Sequence, residues 1–243
     1  MSQCLNRPSV ELKLIRDFEL RCGGDLVTLT PATRRLVAFL ALKARPVLRA
    51  RASAELWLDV DPRHAAASLR SALWRLPARD IVASSSSHVW LDPGVEVDLH
   101  RISLCTLTVL NSTASEETLL ALAHELIDAG DDVLTGWPDQ WVDVERERFR
   151  QLRLQAMDRI SEELVGCDRC LDALQVALAA SSAEPLRESY HRVVMKVHLR
   201  QGNVSEAIRE YRKYAELLRV ELDGRPSQIM KDLLAPFVRR ALA

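Results

Sequence analysis

The strongest constraint on the fold is the order in which hydrophobic periodicity changes along the first 103 residues. Val10, Leu12 and Leu14 alternate with polar residues, and Phe18 and Leu20 continue the alternation after a break. A period of two is typical of short strands with one buried face, and a glycine pair that follows them favours a turn. The chain is therefore predicted to begin with a small antiparallel sheet.

Prolines and capping residues divide the next stretch into three helices. Thr30-Pro31 predicts the start of the first helix, because a threonine hydroxyl accepts free first-turn amides and proline suits the first helical position. Pro46 predicts its end. A second, short helix is predicted at about 50–58. Asp61-Pro62 predicts the start of a third helix, which Pro77 ends.

A β-hairpin is predicted after the third helix. The apolar stretches 81–83 and 88–91 flank a run of four serines, residues 84–87. Strands, three helices and a hairpin in this order are typical of a winged helix, in which a helix-turn-helix is followed by a β-hairpin.

Charge is unevenly distributed between the two parts of the chain. Residues 1–103 contain 15 basic and 11 acidic residues, whereas residues 104–243 contain 18 and 23. The excess is largest in 31–79, with 10 basic and 3 acidic residues. A basic segment joined to an acidic partner is typical of a nucleic-acid-binding module attached to a domain with another task.

The third helix has two chemically different sides. Four apolar residues are predicted to face the core, namely Ala66, Leu69, Leu73 and Leu76. Small and cationic residues gather on the other side, namely His64, Ala67, Ser71 and Arg75, with Ser68 on one edge and Arg63, Arg70 and Trp74 on the other. No acidic residue occurs between Pro62 and Arg79.

This outward side suits contact with DNA. Small residues allow a helix to enter the major groove deeply, and the planar arginine fork matches guanine or a phosphate. We expect Ser71 and Arg75 to contact base edges, and His64 and Arg70 to contact phosphates. The alternative is an ordinary solvated helix face, with His64 as a plain residue of the helix start.

Further basic residues nearby are candidates for phosphate contacts, with simple solvation as the alternative. They are Arg34 and Arg35 in the first helix, Arg49 and Arg51 around the second, and His88 beside the serine loop. The serine loop with His88 is predicted to reach a minor groove or phosphates, or else to be a loop without a binding role.

From about Leu104 the sequence pattern is helical. Ala173-Leu174 recurs as Ala207-Ile208 after 34 residues, and Pro185 follows Ala173 by 12. A small residue, this period and a proline are typical of tetratricopeptide-like helix pairs, with unrelated helical hairpins as the alternative. The predicted fold is mainly α: an N-terminal winged helix-turn-helix of α+β type in 1–103, then an all-α tetratricopeptide-like domain in 104–243.

Few features favour an enzyme, a metal protein or a membrane protein. The sequence lacks GxSxG, HExxH and glycine-rich phosphate-loop motifs. Glu188, His191 and His198 share one helix side, where packing is favoured over metal binding. Five cysteines, including the Cys167–Cys170 pair, predict free thiols in a reducing compartment. We expect a soluble cytoplasmic protein without catalytic residues, cofactor, metal site or membrane association.

Two stretches resemble a known family of regulators. Residues 30–76, TPATRRLVAFLALKARPVLRARASAELWLDVDPRHAAASLRSALWRL, resemble the OmpR-like winged helix of the Streptomyces antibiotic regulatory protein family. Two later segments, GWPDQWVDVERERFRQLRLQAMD and AEPLRESYHRVVMKVHLRQGNVSEAIREYRKYAELLRVELDGRPS, resemble that family's bacterial transcriptional activator domain. The chain looks like a small member of the family.

The resemblance implies a transcriptional activator that binds direct repeats in double-stranded promoter DNA of secondary-metabolite (antibiotic) genes, with self-association on tandem repeats in the nucleoid. It also implies recruitment of the RNA polymerase holoenzyme through its sigma subunit. Ser71 and Arg75 match recognition-helix positions, and the polymerase-contact loop is matched by Trp57, Leu58, Asp59, Val60 and Asp61. The alternatives are a tetratricopeptide-like interaction module whose winged helix docks a protein, and a repressor with the same fold.

Overall fold

The computed structural model describes residues 9–77, 80–130 and 132–241, with the side chains of the last helix described up to residue 237. The strands within these ranges are β1 (Val10–Lys13), β2 (Glu19–Cys22), β3 (Asp25–Leu26), β4 (Val47–Leu48), β5 (Val82–Ser84), β6 (His88–Leu91) and β7 (Val95–Val97). The helices are α1 (Pro31–Lys43), α2 (Arg49–Leu56), α3 (Pro62–Trp74), α4 (Asp98–Asn111), α5 (Glu116–Ala129), α6 (Gln140–Gly166), α7 (Cys170–Ala183), α8 (Glu188–Arg200), α9 (Val204–Leu222) and α10 (Gln228–Ala241). The chain is mainly helical, as predicted.

The first sheet has the strand order β3-β2-β1-β7. Strands β1 and β2 pair antiparallel, with Leu12 opposite Leu20, and alternation along β1 buries Val10 and Leu12. Strand β7 lies parallel to β1, with Val10 opposite Val95. This last strand was not predicted, because its three residues carry too little periodicity to mark a strand without their distant partner.

Helix α1 is the core of the winged helix. Thr30 caps it by accepting the Thr33 amide, and Pro31 occupies the first turn, as predicted. All residues of 36–42 are buried, so the helix is enclosed on every side rather than on one face. It ends at Lys43, and the next residue, Ala44, adopts a left-handed conformation with φ of 49°. Ala44 lies two residues before Pro46, where the end of the helix was predicted.

Helices α2 and α3 form the helix-turn-helix, and the predicted hairpin follows. Strands β5 and β6 pair antiparallel with Val82 opposite Leu91, and β4 joins them to give a sheet of order β4-β6-β5. The predicted winged helix is thereby confirmed. The hairpin, called the wing below, comprises residues 82–91.

A cluster of aromatic rings holds a later segment in this unit. Trp137 stacks on Phe18 with 6.0 Å between centroids, and Trp141 meets Phe39 edge-on at 5.3 Å. Arg146 fixes the turn before them: its guanidinium donates to the carbonyls of Val133, Leu134 and Trp137. Residues 130–150 therefore belong by packing to the same compact unit as 1–103.

The second compact unit comprises residues 104–129 and 151–243. Ala173 and Ala207, the equivalent small residues of the 34-residue repeat, are both fully buried. Tyr190 donates its hydroxyl hydrogen to the Leu154 carbonyl, and Tyr214 does the same to Leu186. Helix α7 packs on α8 and α8 on α9, so the predicted tetratricopeptide-like helix pairs are confirmed.

The two functional domains stay a prediction. The boundary between the two compact units falls after residue 103, as the predicted domains 1–103 and 104–243 require. Residues 130–150, however, pack with the first unit. Among the described residues, no helix is both long and apolar enough to cross a lipid bilayer.

Candidate nucleic-acid interface

Helix α3 presents a continuous polar face to solvent. Its exposed residues include Arg63, His64, Ala67, Arg70, Ser71 and Trp74, with Arg75 exposed at its C-terminal cap and Ser68 half-buried. Trp74 is 87% exposed, an unusual position for an indole ring. Seven of these residues, all except Ala67, are predicted to contact DNA, and they lie on or beside one face of α3.

The buried side of α3 differs in detail from the prediction. Of the four residues predicted to face the core only Leu69 is buried, whereas Ala66, Leu73 and Leu76 are half-buried. Ala65 and Ala72 complete the buried stripe. Their small side chains let α1 approach closely, and the Thr33 hydroxyl there donates to the Ala72 carbonyl at 3.4 Å. Close approach of α1 therefore decides the buried side, not the leucine spacing.

The three arginines of this face have no acidic partner among the residues that the structure describes. No ion pair or side-chain hydrogen bond involves the guanidinium of Arg63, Arg70 or Arg75 in those ranges. Because an unneutralised guanidinium attracts anions strongly, this face is the part of α3 best suited to a phosphate backbone.

Asp61 fixes the start of α3. Its Oδ1 accepts the amides of Arg63 at 2.9 Å and of His64 at 3.2 Å, and its Oδ2 bonds the Nδ1 of His64. The hydrogen bond from the His64 ring lowers the pKa of Asp61, and the same bond raises the pKa of His64. The pair therefore favours the protonated form of His64, whose exposed ring lies at the N-terminus of α3.

The loop predicted to contact polymerase lies between α2 and α3. Leu58, Asp59 and Val60 are exposed, with Leu58 at 74%, and Trp57 is half-buried. Asp61 has a structural task as the cap of α3. An exposed leucine and valine beside the exposed carboxylate of Asp59 form a surface suited to a protein partner.

Arg49 braces the tip of the wing. Its amide donates to the Ser87 carbonyl at 2.8 Å and its Nη1 to the Ser85 carbonyl at 3.1 Å. Ser85 Oγ in turn accepts the amide of His88 at 3.0 Å, and the His88 ring bonds Ser87 Oγ. The serine loop is therefore a closed turn whose backbone is held in place by hydrogen bonds.

The other predicted phosphate ligands are engaged within the fold. Arg51 pairs with Glu55 at 2.6 Å, and Arg35 pairs with Asp139 at 2.5 Å. The guanidinium carbon of Arg34 lies 5.1 Å from the ring centroids of both Phe18 and Trp137. The structure thus does not bring these arginines together with the α3 face. The sequence did not predict these contacts, although two of the partners, Trp137 and Asp139, belong to the GWPDQW segment that resembles the activator domain.

Comparison with known families decides what kind of protein carries this interface. The sequence profile described as "Bacterial transcriptional activator domain" matches residues 111–235, just over half of the chain. The chain belongs to this family. The resemblance to the Streptomyces antibiotic regulatory protein family is confirmed.

Two further proteins are similar to this family member. The regulatory protein AfsR of Streptomyces coelicolor is 28% identical over 88% of this chain, which spans only 22% of AfsR. The structure of Mycobacterium tuberculosis EmbR, determined in complex with a low-affinity phosphopeptide, superposes with a TM-score of 0.74 at 20% identity. That match covers 96% of this chain and 66% of EmbR, and it shows a common fold.

His191 of the second compact unit serves packing. His191 is buried and stacks on Tyr214 with 4.4 Å between centroids. Its Nδ1 bonds Glu210 Oε1 at 2.6 Å, and its Nε2 bonds the Pro185 carbonyl at 2.8 Å. Among the described residues, no group of His, Cys, Asp or Glu side chains is arranged to hold a metal ion. Four of the five cysteines are free thiols, and Cys4 lies outside the described residues.

Proposed function

We propose that this regulator binds promoter DNA through the outward face of α3, inserted in the major groove. The observation that supports this proposal is the combination of three unpaired arginines with small exposed residues on one helix face. Ala67 and Ser71 leave room for a base pair, and Arg75 supplies a fork for guanine O6 and N7. We assign Arg70 and His64, on the same exposed face, to the phosphates of the groove walls.

The wing supplies a second contact in this proposal. Arg49 holds the serine loop in a fixed shape, and the exposed Ser86 and Ser87 present hydroxyl groups at its tip. We assign the loop and His88 to the sugar-phosphate backbone next to the groove that α3 occupies. Arg34, Arg35 and Arg51 are left out of the contact set, because they lie on α1 and α2, outside the α3 face and the wing, and because rings or carboxylates within the fold engage them.

Activation requires contact with RNA polymerase, and we assign it to the exposed loop Trp57–Val60. The sigma subunit of the holoenzyme is the proposed partner, and direct repeats at antibiotic biosynthesis genes are the proposed targets. Several copies then lie side by side on tandem repeats, about one helical turn apart. In this proposal the protein acts at the nucleoid in the cytoplasm and carries out no catalysis.

The deciding experiment measures binding of the full chain to a fluorescent fragment of the promoter next to its own gene, over a series of salt concentrations. The slope of log K against the logarithm of the salt concentration is expected to be roughly −0.9 for each phosphate that the protein neutralises. Arg75→Ala should weaken specific binding by about 1–3 kcal/mol. Arg212→Ala is the matched control, because Arg212 is an equally exposed arginine on α9, in the other compact unit.

Two results would contradict the proposal. A chain that shows no salt-dependent binding to any fragment would favour the protein-docking alternative, and equal affinities of the Arg75 and Arg212 variants would remove Arg75 from the interface. The sign of regulation is read in transcription with purified polymerase. Asp59→Ala should lower transcript yield while promoter affinity stays unchanged, whereas a repressor would lower transcription in its unmodified form.

A further inference from the structure

A cavity of about 450 Å³ lies within the first compact unit, beside the start of α1. Its walls combine apolar and charged residues. The apolar residues are Leu29, Pro31, Trp137 and Pro138, and the charged ones are Arg34, Arg35 and Asp139. The volume is in the range of pockets that hold small organic molecules, which are typically about 300–1,000 Å³.

The cavity carries one positive charge that no carboxylate neutralises. Arg35 is neutralised by Asp139. Arg34 contacts only the ring faces of Phe18 and Trp137, and among the described residues its side chain makes no ion pair or hydrogen bond. Its Nε is buried and without a hydrogen-bond partner. Buried donors are almost always paired in proteins, so this Nε is an unusual donor in need of an acceptor.

A second unpaired donor belongs to the same group of rings. The Nε1 of Trp141 is buried without a partner, and Trp141 meets Trp137 edge-on at 6.3 Å between centroids. The cluster thus contains a cation, an aromatic wall and two buried donors that have no acceptor among the described residues. This composition is complementary to a ligand that is anionic at one end and apolar at the other.

We propose that this cavity binds a small carboxylic acid with an apolar, ring-containing body. The carboxylate accepts hydrogen bonds from Arg34, which offers a planar fork of matching geometry. The body packs against Trp137, Pro138 and Leu29. The site is independent of the α3 interface, so it adds a small-molecule ligand to the proposed function rather than restating it.

The test follows the indole signals of the full chain, labelled with 15N-tryptophan, during titration with benzoate. The Trp137 signal, identified by its loss in Trp137→Phe, should shift and saturate. Benzyl alcohol, which lacks the charge, and inorganic sulfate, which lacks the ring, should each bind about tenfold or more weakly. Arg34→Gln should weaken benzoate to the same extent, and Arg45→Gln, an exposed arginine just past α1, should not.

Several results would overturn the proposal. They are the absence of a saturable shift up to about 10 mM benzoate, equal affinity in Arg34→Gln with its other indole signals in place, and sulfate binding as tightly as benzoate. A salt slope for promoter binding that falls by about one in Arg34→Gln would assign this arginine to a DNA phosphate instead. The outcome for Arg75→Ala is measured separately, so failure of this site and failure of DNA binding are distinguishable.

Discussion

Replacement of Trp137 by alanine should destabilise the winged-helix unit strongly. The ring stacks on Phe18, meets Trp141 edge-on and contacts the Arg34 guanidinium. Each aromatic pair contributes about 0.5–1.5 kcal/mol beyond its buried area, and the cation contact about 0.5–2 kcal/mol. Because Trp137 is half-buried, we expect a loss near the lower end of the range for a buried tryptophan, about 3 kcal/mol.

Tryptophan fluorescence during thermal unfolding measures this effect in the correct unit, since all five tryptophans of the chain lie in 1–103 or 130–150. The midpoint should fall by roughly 10 °C. Trp74→Ala is the matched control. It removes the same side chain from an exposed site, and should change stability by no more than about 0.5 kcal/mol.

Promoter affinity, unlike stability, should be affected more by the Trp74 substitution than by the Trp137 substitution, since Trp74 lies on the α3 face. Trp74→Ala should weaken promoter binding at a temperature where Trp137→Ala is still folded and binds normally. Equal destabilisation by the two substitutions would refute the argument that the aromatic cluster holds residues 130–150 in the first unit.

The remaining predictions concern carboxylates. The hydrogen bond from His191 lowers the pKa of Glu210, so this group stabilises the fold above its unfolded pKa and loses that contribution as pH falls through the folded value. Glu210→Gln should therefore flatten the decline of the urea midpoint between about pH 5 and pH 3. Asp61→Ala should lower both helicity and promoter affinity, because it removes the cap of α3 and the hydrogen-bond partner of the His64 ring. Asp61→Ser should restore the helicity, since serine also caps, but not the full promoter affinity.

Local sequence signals predicted the helix-turn-helix with useful accuracy. Thr30-Pro31 and Asp61-Pro62 each combine a side-chain acceptor with a proline of fixed φ, and the structure begins α1 and α3 at those prolines. These signals act within four residues, so they need no knowledge of the rest of the fold. The same holds for the outward position of His64, Ala67 and Ser71, which follows from helical spacing once the start is fixed.

Long-range partners could not be predicted in this way. Arg35 and Asp139 lie 104 residues apart in sequence, and β7 is recruited to β1 by parallel pairing across 85 positions. The buried side of α3 was mispredicted for a related reason. Leucines at positions 73 and 76 resemble a core stripe, but in the structure Ala65, Leu69 and Ala72 form the buried side of α3.

The contrast between α1 and α3 shows why the number of basic residues is a poor guide to a DNA interface. Arg34 and Arg35 contribute to the charge excess of 31–79 as much as Arg70 and Arg75 do. Arg34 lies over aromatic rings and Arg35 pairs with Asp139, whereas Arg70 and Arg75 have no acidic partner among the described residues. Binding to a duplex is therefore expected to release more counterions from the second pair than from Arg35. Removing a paired arginine also leaves its carboxylate unpaired and perturbs the fold. Loss of DNA binding in an Arg35 variant would therefore not identify a phosphate contact, whereas loss in an Arg70 variant would.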